Sequence, residues 1–381
     1  MSQIFDISNN LSSGQQILLV LIITSVSCAI IGSFLVLRKL SMVSDALSHS
    51  VLLGIVVAFF VTNDVASPWL IVGAAIFGIF TVMAIEVLSG SGMVKNDDAV
   101  GIIFPLFFSL AVILITKYAR NVHIDTDMVL MGEVIMAPLA KITVAEATMP
   151  KAFLYMGIML LINVVFITVF YKELKVSTFD GQFATIAGFS SVALFYALMS
   201  LTSFTTVVAF DAVGAILVIS FLTAPGASAY LITKDLKWTV ILSGIFGAVN
   251  AILGYTLSMR YNVSMSGMTA TMAGMTFLLT FLFNKDGYIT SMMRKIRNRK
   301  NYRMEILIMH IGNHMGESCE IEELGIRTLE DHLQWKHEDL LWTVERLINQ
   351  GILRKNEKKE IFQLTDRGFD KFNKIKKSYG M

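Results

Sequence analysis

Long apolar segments recur along the first 285 residues of this chain, and each is close to the ~20 residues that a helix needs to cross a bilayer. Lipid offers no hydrogen-bond partners, so a segment that crosses it must satisfy its own backbone groups as a helix. Two segments are separated only by a polar turn near residue 205, so we predict eight or nine spans. The candidate spans are 17–38, 42–62, 68–88, 99–116, 151–170, 189–204, 206–223, 238–259 and 267–283.

Composition divides the chain into two regions. Hydrophobic residues make up 55% and charged residues 16%, whereas a soluble protein is nearer a quarter charged. Residues 294–381 nevertheless hold 18 of the 31 Lys and Arg and 14 of the 29 Asp and Glu. The formal net charge of +2 therefore says little about partners. We predict an all-α polytopic membrane protein with a transmembrane domain (1–285), a basic juxtamembrane linker (286–301) and a small cytoplasmic domain (302–381).

The cations of the short loops predict the orientation of the spans. With nine spans and the N-terminus outside, the cations at 38–39, 172–175 and 234–237 face the cytoplasm. The run from Arg294 to Arg303 then lies on the same side, where anionic membrane lipid attracts it. The sequence thus predicts a multi-pass protein of the cell (inner or plasma) membrane with its C-terminal domain in the cytoplasm.

The residues after Tyr302 predict a small α+β domain of the winged-helix type. The predicted helices are Met304–Gly312, Ile321–Leu324, His332–Gln350 and Thr365–Lys377, and the strands are Ile352–Arg354 and Ile361–Leu364, around a basic tip at Lys355–Lys359. The candidate recognition helix, His332–Gln350, carries more acids than Lys and Arg. Because DNA affinity depends on neutralising phosphates, we do not expect nucleic-acid binding. His310, His314 and Cys319 suggest metal sensing instead.

The stretch Leu37–Gly54, LRKLSMVSDALSHSVLLG, places ionisable groups inside an apolar span. Asp45 and His49 are four residues apart, so they project from one helical face, which Ser41 and Ser48 are predicted to share. Carboxylate oxygen and imidazole nitrogen together suit first-row divalent metals. A buried, hydrogen-bonded pair that only fixes helix packing is the alternative. If two such helices met at a dimer axis, they would supply two carboxylates and two imidazoles.

A second stretch combines a proline and a glycine with small residues. We predict that the apolar span breaks at Pro225-Gly226 and continues as a short helix, which either simply ends there or docks on a cytoplasmic nucleotidase. The residues of this candidate docking segment are Ala224, Pro225, Gly226, Ala227, Ser228, Ala229, Tyr230 and Lys234.

Other patterns are less specific. In the loop 117–150, the pattern H-x-D-x-D resembles a set of metal ligands, but solvated loop residues look the same. The residues concerned are His123, Asp125, Asp127 and Glu133. Small residues at helical spacing predict close contacts between spans. They occur at Gly73 and Gly78, Gly244 and Ala248, and Ala270 and Gly274.

The sequence contains no G-x-x-x-x-G-K-[ST] motif and neither H-E-x-x-H nor G-x-S-x-G. The first of these motifs would bind ATP phosphates, and the others would support hydrolysis. We therefore expect that the chain is not an enzyme. If it is an energy-driven transporter, it needs a separate ATPase chain.

The stretch LRKLSMVSDALSHSVLLGIVVAFF resembles the second-helix signature of permease subunits of metal-ion ABC importers, the manganese/zinc/iron (ABC-3) family. DAVGAILVISFLTAPGASAYLITK (211–234) resembles the ATPase-coupling segment of the same family, and FDGQFATIAGF (179–189) is a weaker likeness. The resemblance implies transport of Mn, Zn or Fe along Asp45 and His49, with no permanently bound cofactor.

The same resemblance implies a set of partners. These are a dimer of cytoplasmic ABC ATPases, a second permease copy or a sister permease, and an extracytoplasmic metal-binding protein. The tail departs from the usual pattern and resembles the winged-helix domain of diphtheria-toxin-repressor-type regulators. A membrane-anchored, metal-responsive regulator is therefore the alternative function, although such a sensor needs no ATPase-docking segment.

Overall fold

The computed structural model describes residues 12–64, 67, 69–118, 134–144, 147–317, 320–325, 328–357 and 359–380. The chain separates into two compact units, Met1–Gly287 and Tyr288–Met381. The helices of the first unit are α1 (Ser13–Leu37), α2 (Ser41–Thr62), α3 (Trp69–Gly90), α4 (Asn96–Tyr118), α5 (Lys151–Val169), α6 (Tyr171–Phe179), α7 (Gly181–Ile186), α8 (Ser191–Val213), α9 (Ala215–Ile232), α10 (Leu236–Tyr261) and α11 (Met265–Phe283). A 3₁₀ turn (Val134–Met136) and the antiparallel strands β1 (Lys141–Val144) and β2 (Ala147–Pro150) lie between α4 and α5.

Nine helices of the described residues are long and apolar enough to cross a membrane, namely α1 to α5 and α8 to α11. The predicted boundary near residue 205 is wrong, because α8 continues to Val213 and the chain turns at Gly214 with φ 85°. The polar residues near 205 do not break the helix, and several of their hydroxyls have partners. Thr202 donates to the carbonyl of Leu198 at 2.8 Å. Ser203 donates to the carbonyl of Ala75 at 3.0 Å. A glycine at the real turn adopts a positive φ without steric cost.

Helix α1 lies in the centre of the first unit, packed against α5, α8, α9 and α10. Its contact with α9 is very close, since a Cβ at Gly32 would lie 2.0 Å from the carbonyl oxygen of Leu222. Its contact with α10 is also close, and Ser243 donates to the carbonyl of Ala29 at 2.6 Å. Small residues thus let backbones approach, as is common among spans that have no hydrophobic effect to drive their association.

A buried asparagine joins three spans. Asn163 on α5 donates from Nδ2 to Ser27 Oγ of α1 at 3.1 Å and to Thr205 Oγ1 of α8 at 3.0 Å. All three side chains are fully buried. A polar group in hydrocarbon needs such partners, so this cluster holds α1, α5 and α8 in register.

The second unit contains helices α12 (Tyr288–His314), α13 (Glu320–Leu324), α14 (Leu329–Leu333), α15 (His337–Asn349) and α16 (Asp366–Ser378), and strands β3 (Leu353–Asn356) and β4 (Ile361–Leu364). The strands form the predicted antiparallel hairpin, with Leu353 opposite Leu364. An isolated antiparallel bridge joins Gly325 to Ile361. The single predicted helix His332–Gln350 is wrong, because the chain leaves α14 at Gln334 with φ 52° before α15 begins.

The second unit has its own hydrophobic core, which lies among α12, α13, α15, α16 and the hairpin. Its fully buried members include Leu307, Ile311, Leu324, Leu347 and Ile361. The basic segment predicted as a linker, 286–301, falls mostly within α12, which begins at Tyr288 and continues into this core. The boundary between the units therefore lies just before that helix.

Candidate functional site

Asp45 and His49 lie together on α2, as their spacing predicts. The Nε2 of His49 is 3.6 Å from Oδ1 of Asp45, and 25% and 42% of the two side chains are exposed. Ser41 lies one turn earlier and is partly exposed, so it shares this face. Ser48 does not share it, because its side chain is buried and donates to the carbonyl of Ser44 at 2.7 Å.

Two aromatic rings of α4 hold the imidazole of His49. Its centroid is 4.7 Å from that of Phe104 and 5.6 Å from that of Phe108, the latter edge-on. Nδ1 of His49 is buried and has no hydrogen-bond partner among the described residues. The ring is therefore positioned by its aromatic neighbours and by Asp45 on the Nε2 side, and not by a hydrogen bond at Nδ1 from a described residue.

The separation of the two groups fits a shared metal ion. Metal bonds of about 2.0–2.2 Å in tetrahedral geometry place ligand atoms about 3.4 Å apart. The 3.6 Å between His49 Nε2 and Asp45 Oδ1 is close to that value, and it is longer than a good hydrogen bond. One copy of α2 therefore offers one oxygen and one nitrogen to an ion, and leaves the remaining coordination positions open.

The candidate docking segment belongs to a continuous helix. Helix α9 runs from Ala215 to Ile232 with Pro225 inside it, so the predicted break at 225–226 is wrong. Pro225, Gly226, Ser228 and Ala229 are buried. A Cβ at Gly226 would lie 3.1 Å from the Cα of Ser33 on α1. Of the segment, Tyr230 and Lys234 are exposed, while Ala224 and Ala227 are half-buried.

Two short helices that follow α5 are anchored on the end of α1. Arg38 donates from Nη2 to Ser177 Oγ at 2.8 Å and from Nε to Thr178 Oγ1 at 3.3 Å. Helices α6 and α7 nevertheless expose large apolar side chains, at Phe179, Phe183 and Ile186. This apolar surface lies on helices too short to cross a bilayer. In the sequence, this apolar surface corresponds to the stretch FDGQFATIAGF (179–189).

The start of α6 lies beside the end of α9. Burial raises the pKa of the Tyr171 hydroxyl, and the charge of Asp235 raises it further. Asp235 caps α10 through the backbone N–H of Lys237 at 2.9 Å, just after the exposed end of α9. The start of α6 therefore lies near the exposed end of α9. We use the name α6–α9 surface for the exposed residues of α6, of α7 and of the end of α9.

Other predicted ligands fall outside the described residues. These are His123, Asp125, Asp127 and Glu133 of the loop after α4, together with Cys319 of the second unit. His310 and His314 are described and lie on α12, with ring centroids 4.9 Å apart.

Comparisons with known proteins agree on the family. The model of the ABC 3 transport family matches residues 12–284. The zinc transport system membrane protein TroD of Treponema pallidum is 38% identical over 345 residues, covering 90% of this chain and 93% of that protein. The manganese transport system membrane protein MntD of Bacillus subtilis is 41% identical over 281 residues, covering 73% of this chain and 95% of that protein.

A solved structure shares the architecture of the first unit. PsaBC from Streptococcus pneumoniae, solved in complex with Fab, matches with a TM-score of 0.60 at 28% identity, over 74% of this chain and 96% of that one. The match to TroD is longer than the first unit, which ends at Gly287, so it extends into the second. With a family model that spans most of the chain and relatives that align over nearly their whole length, this protein belongs to the ABC 3 transport family.

Proposed function

We propose that this chain is the membrane-spanning permease subunit of an ATP-binding-cassette importer that moves divalent Mn, Zn or Fe into the cytoplasm. The observation that carries the proposal is the Asp45–His49 pair, an oxygen and a nitrogen 3.6 Å apart inside a span. The relatives TroD and MntD are named as membrane proteins of zinc and manganese transport systems. Neither name speaks of regulation, so transport is favoured over a membrane-anchored regulator. ATP hydrolysis takes place on a separate subunit.

The pair contributes charge and directional ligands to the transported ion. A divalent ion that enters the membrane loses water, and the carboxylate of Asp45 replaces part of that stabilisation. His49 adds a nitrogen ligand, so the pair suits Mn, Fe and Zn ions. Two ligands bind the ion weakly enough for it to leave again, as a pathway requires.

A second permease, either another copy or a sister chain, completes the site. Asp45 is 42% exposed in the isolated chain although its neighbours Ala46 and Leu47 are fully buried. An ionisable group within a span normally faces protein or water, not lipid. Two α2 helices meeting across a two-fold axis provide two carboxylates and two imidazoles for one ion.

The α6–α9 surface is the docking site for the dimer of ABC ATPases. It combines exposed apolar residues of α6 and α7 with Tyr230 and Lys234 at the end of α9. Apolar surface exposed outside the spans favours a protein partner. The surface is anchored on α1 through Arg38, so movement of the ATPases passes to the central helix of the bundle.

The membrane orientation follows from this docking site. The N-terminus is outside and the second unit is cytoplasmic, which places the α6–α9 surface on the ATPase side. An extracytoplasmic metal-binding protein delivers the ion to the opposite side. The cations in the first turns of α12 lie against anionic lipid.

The second unit is a winged-helix domain that regulates transport or assembly. Its support is the element order of helices, hairpin and final helix, and the bridge from Gly325 to Ile361 that adds a third short strand to the hairpin. The match to TroD extends into this unit, so the tail accompanies the permease in that relative too.

Uptake of radioactive Mn and Zn by proteoliposomes tests the proposal. We expect metal to accumulate when the chain is reconstituted with its ATPase and ATP, and not when the ATPase is omitted. Omission of the chain is the second control. Equal accumulation with and without the chain contradicts the transport function.

A further inference from the structure

Three histidines and a glutamate meet near the end of α12 in the second unit. His310 and His314 are one turn apart on that helix, so their rings project from the same face. Glu323 on the short helix α13 and His332 on α14 approach that face. Four metal-ligating side chains from three helices therefore converge outside the membrane domain.

The distances among these groups are short. Oε2 of Glu323 is 3.7 Å from Nε2 of His310 and 3.3 Å from Nδ1 of His332. One ligand atom each from His310, His314 and Glu323 lies within 4.8 Å of those of the other two. The rings of His310 and His332 are 6.4 Å apart between centroids.

These separations are compatible with a tetrahedral ion as well as with ion pairs. Ligand atoms about 2.0–2.1 Å from Zn²⁺ are about 3.4 Å from one another. The two contacts of Glu323 bracket that value. His332 reaches the group through Glu323, so its side chain must rotate toward His310 and His314 for all four residues to bind one ion.

The surroundings also favour a bound cation. The four side chains are between 16% and 32% exposed, so the cluster is reachable by an ion from water but shielded from full solvation. Behind it lie the fully buried Leu307 and Ile311, which fix α12. Glu322 adds negative charge on α13, whereas Glu320 is paired with Lys359 at 3.0 Å.

We propose that His310, His314, Glu323 and His332 bind one divalent ion of the zinc class in the second unit. Three imidazoles and one carboxylate form a ligand set that prefers Zn²⁺ to Mn²⁺, because imidazole nitrogen suits Zn²⁺ and Mn²⁺ favours all-oxygen sites. This site is separate from Asp45 and His49 and does not rest on the transport function. Binding fixes the short helices α13 and α14 against α12.

Metal titration of the full chain in detergent tests the site. An Asp45→Ala/His49→Ala background removes the membrane pair, and Zn²⁺ or Co²⁺ alone is the probe. We expect one equivalent of Zn²⁺ to bind in competition with a chromophoric chelator, and Co²⁺ to show the intense visible bands of tetrahedral coordination. Mn²⁺ should bind at least about a hundredfold more weakly.

Variants of the ligands identify the residues. Glu323→Gln and His310→Gln in that background should each lower Zn²⁺ affinity at least about tenfold and weaken the Co²⁺ bands. His337→Gln is the matched control, because His337 pairs with Glu330 at 2.8 Å and is not one of the four ligands. The Zn²⁺ affinity of the His337→Gln variant should stay within about twofold of that of its parent.

Two results overturn the proposal. One is the absence of tetrahedral Co²⁺ bands from the unaltered second unit, and the other is equal Zn²⁺ affinity in Glu323→Gln and its parent. Glu323→Gln is nearly the same shape as the parent, and thermal unfolding without metal checks that it folds. If His310→Gln fails to fold, Glu323→Gln alone decides.

Discussion

In the transport that we propose, the charge of Asp45 replaces part of the hydration that a divalent ion loses on entering the bilayer. The neighbouring imidazole of His49 is positioned by Phe104 and Phe108, so its direction is set before an ion arrives. Preorganised ligands on a rigid helix bind with little loss of side-chain entropy. Asp45 and His49 lie on one helix, but the rings that position His49 belong to the neighbouring helix α4.

The first prediction concerns these two residues. Asp45→Asn or His49→Ala should lower metal uptake at least about tenfold, because each removes one ligand of the ion. Both variants should insert and fold normally. The matched control is Glu86→Gln, which changes a carboxylate of α3 that accepts a hydrogen bond from Tyr196. Uptake at the parental rate by both site variants would show that the ion takes another path.

Asp45 and His49 were predictable from sequence because their relation is local and follows from helical spacing alone. Ser48 was wrongly placed on the same face, because its exposure depends on which neighbours cover α2. Asn163 was not predicted at all. Its partners, Ser27 and Thr205, are 136 and 42 residues away, and no local pattern connects them.

At the scale of elements, close approach between helices depends on individual glycines. A Cβ at Gly254 on α10 would lie 2.4 Å from the Cα of Thr269 on α11, whereas a Cβ at Gly274 meets nothing within 4 Å. Gly254→Ala should therefore lower stability by about 1–3 kcal/mol. Gly274→Ala, the matched control, should stay within about 0.5 kcal/mol. Thermal unfolding in detergent measures both, and equal melting temperatures would refute the assigned packing.

The third prediction concerns the α6–α9 surface. Single cysteines at Ile186 and Tyr230, both exposed, should crosslink to cysteines on the partner ATPase. A cysteine at Ser228 should not, because that side chain is fully buried against the bundle. Crosslinking is read on gels with and without reductant. Crosslinks confined to another cytoplasmic loop would mean that the ATPase docks elsewhere.

The fourth prediction is a pH dependence within the second unit. Arg303 on α12 donates a hydrogen bond to Asp339 on α15 and thereby lowers the pKa of that carboxyl, with partial burial opposing the effect. The folded pKa lies below the unfolded one, so the ion pair stabilises the fold above about pH 4. That contribution is lost as the pH falls through the lower, folded pKa.

Asp339→Asn measures this contribution. The variant should be less stable than its parent near neutral pH, and the difference should shrink progressively below about pH 4. In an Arg303→Gln background the pH-dependent effect of the same change should be smaller, because only the weaker influence of Arg299 and Lys336 on the pKa of Asp339 remains. Unfolding followed by fluorescence of Trp335 and Trp342, with the other two tryptophans replaced, gives the stabilities. A constant difference across this range would exclude the ion pair as its cause.

The elements themselves were predicted unevenly. The spans follow from hydropathy, since lipid forces each apolar segment to be helical. Pro225 was wrongly taken as a break, because a proline within a span is tolerated where neighbouring helices pack around it. The turn at Gln334 was not predicted, because a continuous helix was expected there. No glycine or proline marks this turn in the sequence DHLQWKHEDL (331–340), and polar residues there also suit an exposed helix face.

At the scale of the whole molecule, the chain joins a membrane unit to a unit with its own core. The last prediction is that the full chain does not bind random duplex DNA. Helix α15 carries Arg346 but also Glu338, Asp339 and Glu345, so its formal charge is negative and disfavours contact with phosphates. Titration in detergent at low salt measures binding. Salt-sensitive affinity below micromolar would assign the second unit to nucleic acid.

The exposed carboxylate of Asp45 also has a consequence for how cells make the protein. A newly inserted chain that has not met its partner presents 42% of that side chain to its surroundings. A carboxylate that faces hydrocarbon is costly, and Asp45 lies five residues into α2, where the cost is smaller than at the centre of a span. We therefore expect an unpaired chain to be less stable in the membrane than a paired one. The residue that we propose as a metal ligand would then also favour the pairing of newly made chains.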